Sequence, residues 1–149
     1  MSVKNLMKPE LVFAKQQITS KKRVLEHLAE AIGNCLHCNS DEVYDALLGR
    51  EKLGSTGIGN GIAIPHCRLD DVNQASLVLM SLETPIDYDA VDRRPIDLIF
   101  ALVVPPHQCD EHLATLAQIA ELAQSEDKLA KLREQQDSSK LQEAFESLM

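Results

Sequence analysis

The sequence predicts an α/β fold in three layers, with a mixed β-sheet flanked by helices on both faces. Three observations lead there. Residues Ile96 to Val104 are apolar nearly throughout, which implies a strand buried on both faces. Apolar stripes at helical spacing lie both before and after the strand region. Helix and strand runs do not alternate strictly, so parallel and antiparallel neighbours are expected in one sheet.

The elements follow in order. Residues 1–18 mix polar and apolar positions around Pro9 and read as an extended entry with a strand near Leu11 to Ala14. Thr19 or Ser20 caps a helix to about residue 36, whose stripe is Leu25, Leu28, Ile32, Cys35 and Leu36. Asn39 or Ser40 caps a second helix carrying Val43, Leu47 and Leu48, and Asp41 and Glu42 suit its positive end. Gly54 ends it as a residue just past the C-cap. A glycine-rich turn leads to a strand through Ile62 and Ile64. A second strand spans about Ala75 to Leu82, with Pro85 as its stop. Ile96 to Val104 is the third, broken by Pro105-Pro106. A helix over about 110–124 shows Leu113, Leu116, Ala117, Ala120 and Ala123 at helical spacing. A short helix near Leu129 to Gln135 follows. A last one, capped by Ser138 or Ser139, carries Leu141, Ala144, Phe145 and Leu148 on one face.

The 149 residues are enough for one domain, taken here as 1–149. Aromatics are only 3%, so the core must be aliphatic. The net charge of −8 argues against general nucleic-acid binding and against anionic membrane surfaces. No apolar run approaches the roughly 20 residues of a spanning helix, and no secretory signal is read at Met1 to Leu11. The expected setting is the cytoplasm, with no membrane insertion. There the four cysteines, Cys35, Cys38, Cys67 and Cys109, are expected to be reduced. Cys35-Leu-His-Cys38 has redox or metal spacing, but no second C-x-x-C accompanies it, and Cys35 also completes a helical stripe. His107 and Cys109 could join His66 and Cys67 around a metal, though nothing in the spacing fixes a tetrahedron.

Chemistry concentrates in Gly54-Ser-Thr-Gly-Ile-Gly-Asn-Gly-Ile-Ala-Ile-Pro-His66. Glycines allow close backbone approach, and Pro65 stiffens the chain just before His66. The segment is expected to present a rigid, partly exposed imidazole beside unhindered amides, a place suited to accepting and returning a phosphoryl group. It is not a dinucleotide fingerprint: the third glycine of G-x-G-x-x-G is missing and a strand follows, not a helix. On the residues alone, His66 is either a nucleophile or a structural histidine at a strand end. His112, early in its helix, either helps to hold an anion or is a solvated first-turn residue. Arg50 either grips phosphate oxygens or complements a helix C-terminus, and Glu51 and Lys52 are as ambiguous. His27 and His37 read as surface residues of the first helix.

Arg50-Glu-Lys-Leu-Gly-Ser-Thr-Gly-Ile-Gly-Asn-Gly-Ile-Ala-Ile-Pro-His66 closely resembles the active-site signature of phosphotransferase-system enzyme IIA domains. The class is the mannitol–fructose one, and within it the nitrogen-regulatory type. Leu82-Glu-Thr-Pro-Ile-Asp, Pro95-Ile-Asp-Leu-Ile-Phe-Ala-Leu-Val-Val-Pro and Glu111-His112-Leu113-Ala-Thr-Leu116 agree in order and spacing, so the resemblance runs from about Leu6 to the C-terminus. It implies an α/β domain in which His66 takes a phosphoryl group, on Nε2, from a carrier of the HPr type or its nitrogen-branch relative NPr. It implies that His112 assists the phosphoryl oxygens and that Arg50 is the active-site arginine. It implies no metal and no nucleotide cofactor. It also implies regulated partner proteins, which in relatives include potassium transport and its sensor kinases. No enzyme IIB or IIC segment is seen, which fits the nitrogen-regulatory type. A sugar-uptake enzyme IIA and an unphosphorylated binding module are the alternatives.

Overall fold

The computed structural model describes residues 6–108 and 112–149. Expectations that fall on Cys109, or on residues 110 and 111 at the start of the third helix, lie outside the described residues. A six-stranded mixed sheet runs in the order β1-β5-β6-β3-β2, with β4 beside β6 at its other end. The strands are β1 (Val12–Gln16), β2 (Gly57–Gly59), β3 (Ile62–Ala63), β4 (His66–Arg68), β5 (Ser76–Ile86) and β6 (Ile96–Val104). The helices are α1 (Lys21–Leu36), α2 (Ser40–Lys52), α3 (Leu113–Leu122), α4 (Glu126–Arg133) and α5 (Ser138–Leu148). β5 and β6 are antiparallel, while β1–β5, β3–β6 and β4–β6 are parallel. This is the mixed three-layer arrangement expected of the sequence.

The nearly apolar β6 serves both layers by alternation. Leu98, Phe100, Leu102 and Val104 face Ile119, Leu122, Leu129, Leu132, Leu141 and Phe145 of α3, α4 and α5. Ile99, Ala101 and Val103 face Val24, Leu28, Ile32, Val43 and Leu47 of α1 and α2. Phe100 and Phe145, both fully buried, pack with ring centroids 5.5 Å apart. Fully burying an aliphatic or aromatic side chain of this size contributes roughly 1.5–3 kcal/mol.

Helix starts follow local hydrogen bonding. The Ser20 side chain accepts from the Arg23 N–H, and Asn39 accepts from those of Asp41 and Glu42. α4 begins three residues before the expected Leu129, because Ser125 caps it at the Lys128 N–H. α5 is capped by Asp137, not by Ser138 or Ser139. Ser138 instead accepts the Ala14 N–H and ties α5 to β1. α3 turns Thr115, Ile119 and Leu122 inward, while Leu113 and Ala117 of the expected stripe are exposed. A row rich in alanine marks a helix but does not fix which side sinks.

Two prolines behave differently from expectation. The entry contains a 3-10 turn, Pro9–Leu11, with Pro9 at its first position, where no N–H is required. Pro85 does not stop β5, which continues to Ile86. β1 pairs with β5 only as far as Leu82, and the β5–β6 register shifts between Ser81 and Ile86. Glu83, Thr84 and Pro85 are exposed there, so the missing N–H interrupts no ladder.

The glycine-rich segment is a hairpin, β2–β3, where its composition suggests only a turn. Gly59 pairs with Ile62 across Asn60 and Gly61, whose φ values are 57° and 79°. Positive φ at both central residues is the type I′ turn, for which Asn-Gly is the preferred pair. Gly57 is needed for space: a Cβ there would lie 2.8 Å from that of Ala90.

Candidate functional site

β3 and β4 are two pieces of one strand. Ile62 and Ala63 pair with Leu98 and Ile99, and His66, Cys67 and Arg68 pair with Leu102, Val103 and Val104. The register is the same on both sides of Ile64-Pro65. Pro65 lacks an N–H, but its carbonyl still accepts from Leu102 at 2.9 Å. Because that register is kept, His66 shares the face of Leu102, towards α3. Cys67 shares the face of Val103, towards α1 and α2.

His66 is half-buried and its ring is held on both nitrogens. Nδ1 lies 2.8 Å from the Ile64 carbonyl oxygen. A carbonyl only accepts, so Nδ1 carries the proton. Nε2 is then left with its lone pair. Arg50 supports the same assignment from the other side, donating from Nε to His66 Nε2 over a long 3.4 Å. Arg50 stands in the last turn of α2, and its Nη1 also donates to the Gly54 carbonyl at 2.9 Å. Among the described residues it forms no ion pair with a carboxylate.

His112 is the N-cap residue of α3 and is 2% exposed. It is therefore not a solvated first-turn histidine. Its Nδ1 lies 3.4 Å from the hydroxyl of the equally buried Thr115. Arg50, His66 and His112 all line one open cavity of about 370 Å³ between the C-terminal end of α2, the β4 edge and the start of α3. Its floor is Leu102 and Val104. Leu53 and Leu113, 84% and 63% exposed, stand at its margin with Arg68. A small polar cluster with cationic side chains and an apolar surround suits an anionic group carried on a larger partner.

The remaining candidates are placed apart. Cys67 lines the same cavity, but burial, with a smaller push from Cys38, raises its thiol to about 12. Burial, then Asp71 and Glu42, also raise Cys38. Neither is the low-pKa thiolate of a reactive cysteine. Cys35 packs part-buried on the α1–α2 side, as its stripe implies. His37 is exposed in the left-handed conformation that closes α1, and His107 is exposed in the turn after β6. His27 is a part-buried surface residue. Its ring tilts against Phe13 at 5.8 Å and its Nδ1 is shielded from solvent. The sequence reading left Glu51 ambiguous. It is 7% exposed and turns inward, away from the cavity its neighbour Arg50 enters.

The fold and this cavity define a class: a mixed α/β sandwich that offers one half-exposed imidazole at a sheet edge. Comparison with known proteins narrows it. Residues 5–148 match the family described as "Phosphoenolpyruvate-dependent sugar phosphotransferase system, EIIA 2", and the chain belongs to that family. It is 42% identical over 144 residues to a nitrogen regulatory protein of Klebsiella oxytoca, covering 96% of this chain and 89% of the relative. It is 45% identical over 115 residues to one from Pseudomonas aeruginosa, covering 76% and 75%. The crystal structure of nitrogen regulatory protein IIA-Ntr from Neisseria meningitidis superposes with a TM-score of 0.90 at 30% identity, covering 95% of this chain and 97% of that one. The chain is thus a phosphotransferase-system EIIA protein closely related to the nitrogen-regulatory kind. Among the described residues, no helix is long and apolar enough to cross a membrane.

Proposed function

We propose that this protein is a cytoplasmic phosphohistidine carrier that accepts a phosphoryl group on His66 from an HPr- or NPr-type carrier. Its phosphorylation state then regulates partner proteins. The observation that carries this reading is the tautomer of His66: Nδ1–H donates to the Ile64 carbonyl, leaving the Nε2 lone pair at a cavity lined by Arg50 and His112.

In the transfer, Nε2 attacks phosphorus in line. The P–N bond to the donor imidazole breaks as the new P–N bond forms. The His66 ring gains positive charge, which the Ile64 carbonyl stabilises through Nδ1–H. Such transfers depend on alignment and on charge stabilisation of the equatorial oxygens. Arg50 releases Nε2 and turns its donors to those oxygens, and His112 assists from the α3 side. Leu53 and Leu113 offer the apolar margin on which a carrier would seat. The added group brings roughly −1.5 to −2 charges to that face, by analogy with other phosphorylated side chains.

Relatives named nitrogen regulatory protein, at 41–45% identity over three quarters or more of the chain, favour the regulatory branch. A fructose-specific EIIA component of Haloferax volcanii, 31% identical over 137 residues, keeps a sugar-uptake role as the second reading. The test is intact mass after incubation with phosphoenolpyruvate, enzyme I and either carrier. One acid-labile phosphoryl is expected on the wild type and none on His66→Ala. Faster transfer from NPr than from HPr favours the regulatory branch. An unmodified wild type with both carriers overturns the proposal.

A further inference from the structure

We infer that Glu51 is a positioning residue for His66, acting through Thr56 and the Ile64 carbonyl and anchored by Lys21. The inference rests on the reading of His66 as phosphoryl acceptor. A carboxylate this buried is costly unless several donors reach it. Here they do. The Thr56 N–H donates to Glu51 Oε1 at 3.1 Å, and the Thr56 hydroxyl donates to Oε2. The Lys21 ammonium, at the first position of α1, stands 3.0 Å from Oε1. Lys21 also lies 4.5 Å from the centroid of the Tyr88 ring, whose hydroxyl is 3.4 Å from that of Thr56.

The network does more than fill a core. It clamps both ends of the turn between α2 and β2, with Glu51 at one end and Thr56 at the other. The Thr56 carbonyl then accepts the Ile64 N–H at 2.9 Å, and the Ile64 carbonyl accepts His66 Nδ1–H at 2.8 Å. Two hydrogen-bonded residues, Thr56 and Ile64, thus join the carboxylate to the proton that defines the His66 tautomer. Because Glu51 directly follows Arg50 on α2, one helix end sets both partners of the His66 ring. Arg50 meets Nε2 directly, and Glu51 fixes the Nδ1 side through this relay. A purely apolar plug at position 51 would pack as well but would hold neither Thr56 donor.

The test is Glu51→Gln in the full chain, which keeps the side-chain volume and removes the charge that holds Lys21. Two-bond proton–nitrogen correlation spectra of 15N-labelled protein read the neutral His66 tautomer without any carrier. The wild type is expected to hold the Nδ1–H form, and Glu51→Gln a mixture. With a phosphorylated carrier, the variant's maximal transfer rate is expected to fall about tenfold, less than the roughly 100-fold that a 1 Å misplacement of a reacting group can cost. The carrier concentration at half-maximal rate should change less than about twofold. Lys21→Met should act in the same direction with the fold intact, and carries the test if Glu51→Gln does not fold. Thr56→Val should mimic it, and Thr56→Ser should restore the tautomer. A lower melting temperature with the tautomer and rate unchanged overturns the inference. If the wild type accepts no phosphoryl group, the acceptor reading fails, while the tautomer spectra still decide whether Glu51 orients the ring.

Discussion

Two arginines hold the two ends of the β3–β4 strand, and they are bound in opposite ways. At the hairpin end, Arg133 is ion-paired with Asp97. Its Nε contacts both Asp97 carboxylate oxygens at 2.9 and 3.0 Å, and Nη2 donates to the Asn60 carbonyl at 2.6 Å. The Asn60 side-chain amide in turn donates to the Ala123 carbonyl, and its backbone N–H donates to Asp92. At the other end, Arg50 has one firm bond, to the Gly54 carbonyl, and one long contact to a neutral imidazole. A guanidinium already paired with a carboxylate fixes a turn. One with no carboxylate partner among the described residues, beside a nucleophile and a cavity, can meet an incoming anion.

The sharpest way to break the comparison is to truncate both. Arg50→Ala is expected to slow phosphoryl transfer roughly 100-fold, the cost of losing one donor to a developing anion, with little change in melting temperature. Arg133→Ala should do the reverse. It leaves Asp97 and the Asn60 carbonyl unanswered, costs about 1–3 kcal/mol of stability, and leaves transfer near the wild-type rate. Urea unfolding and intact-mass kinetics on the same two proteins check both halves, and a variant that loses both properties would erase the distinction.

A smaller contrast sits one residue from His66. Cys67, raised from the ordinary 9.0 to about 12 chiefly by burial, is held as a neutral thiol. Because the folded value lies above the unfolded one, its contribution to stability is complete below pH 9 and is lost as the pH climbs towards about 12. Melting temperature is therefore expected to fall through that window, and less steeply in Cys67→Ala. Part of the slope should remain, because burial and the Glu51 charge also push the Tyr88 hydroxyl above its usual range. The smallest effect is reserved for a cap remote from both arginines. Asn39→Ala removes the acceptor for two α2 amides. It should cost about 1 kcal/mol in urea unfolding with transfer unchanged.

Much of the layer architecture was legible because long patterns carry it. The apolar run Leu98 to Val104 of β6 demanded two covering layers, and the stripe of α1 with Ser20 before it marked a helix and its start. Arg50, His66 and His112 could be named from the family resemblance. That one cavity gathers them depends on how α2 and α3 pack around the β4 edge, which no local pattern encodes. Asn60-Gly61 is a hairpin signal, but it lies among so many glycines that the segment reads as a single glycine-rich turn. Cap choice at α5 fell between adjacent Asp and Ser residues with near-equal preferences. The burial of Glu51 and His112 was illegible for a different reason. A charged or titratable residue is placed inside by partners that a helical or strand pattern does not reveal, here Lys21, thirty residues away, and Thr56 across a turn for Glu51, and the buried Thr115 for His112.

The unbroken register across Pro65 fixes how many residues may separate the hairpin from the imidazole. Side chains alternate along a strand, so gaining or losing one residue between Ile62 and His66 would turn the ring through the sheet into the α1–α2 layer. The interval is a spacing constraint that composition cannot relax. Substitutions within Ala63-Ile64-Pro65 are expected to be graded in their effect, and a one-residue insertion or deletion there all-or-none. A library of length variants across this segment should contain no active member with an odd change in length, however conservative its residues.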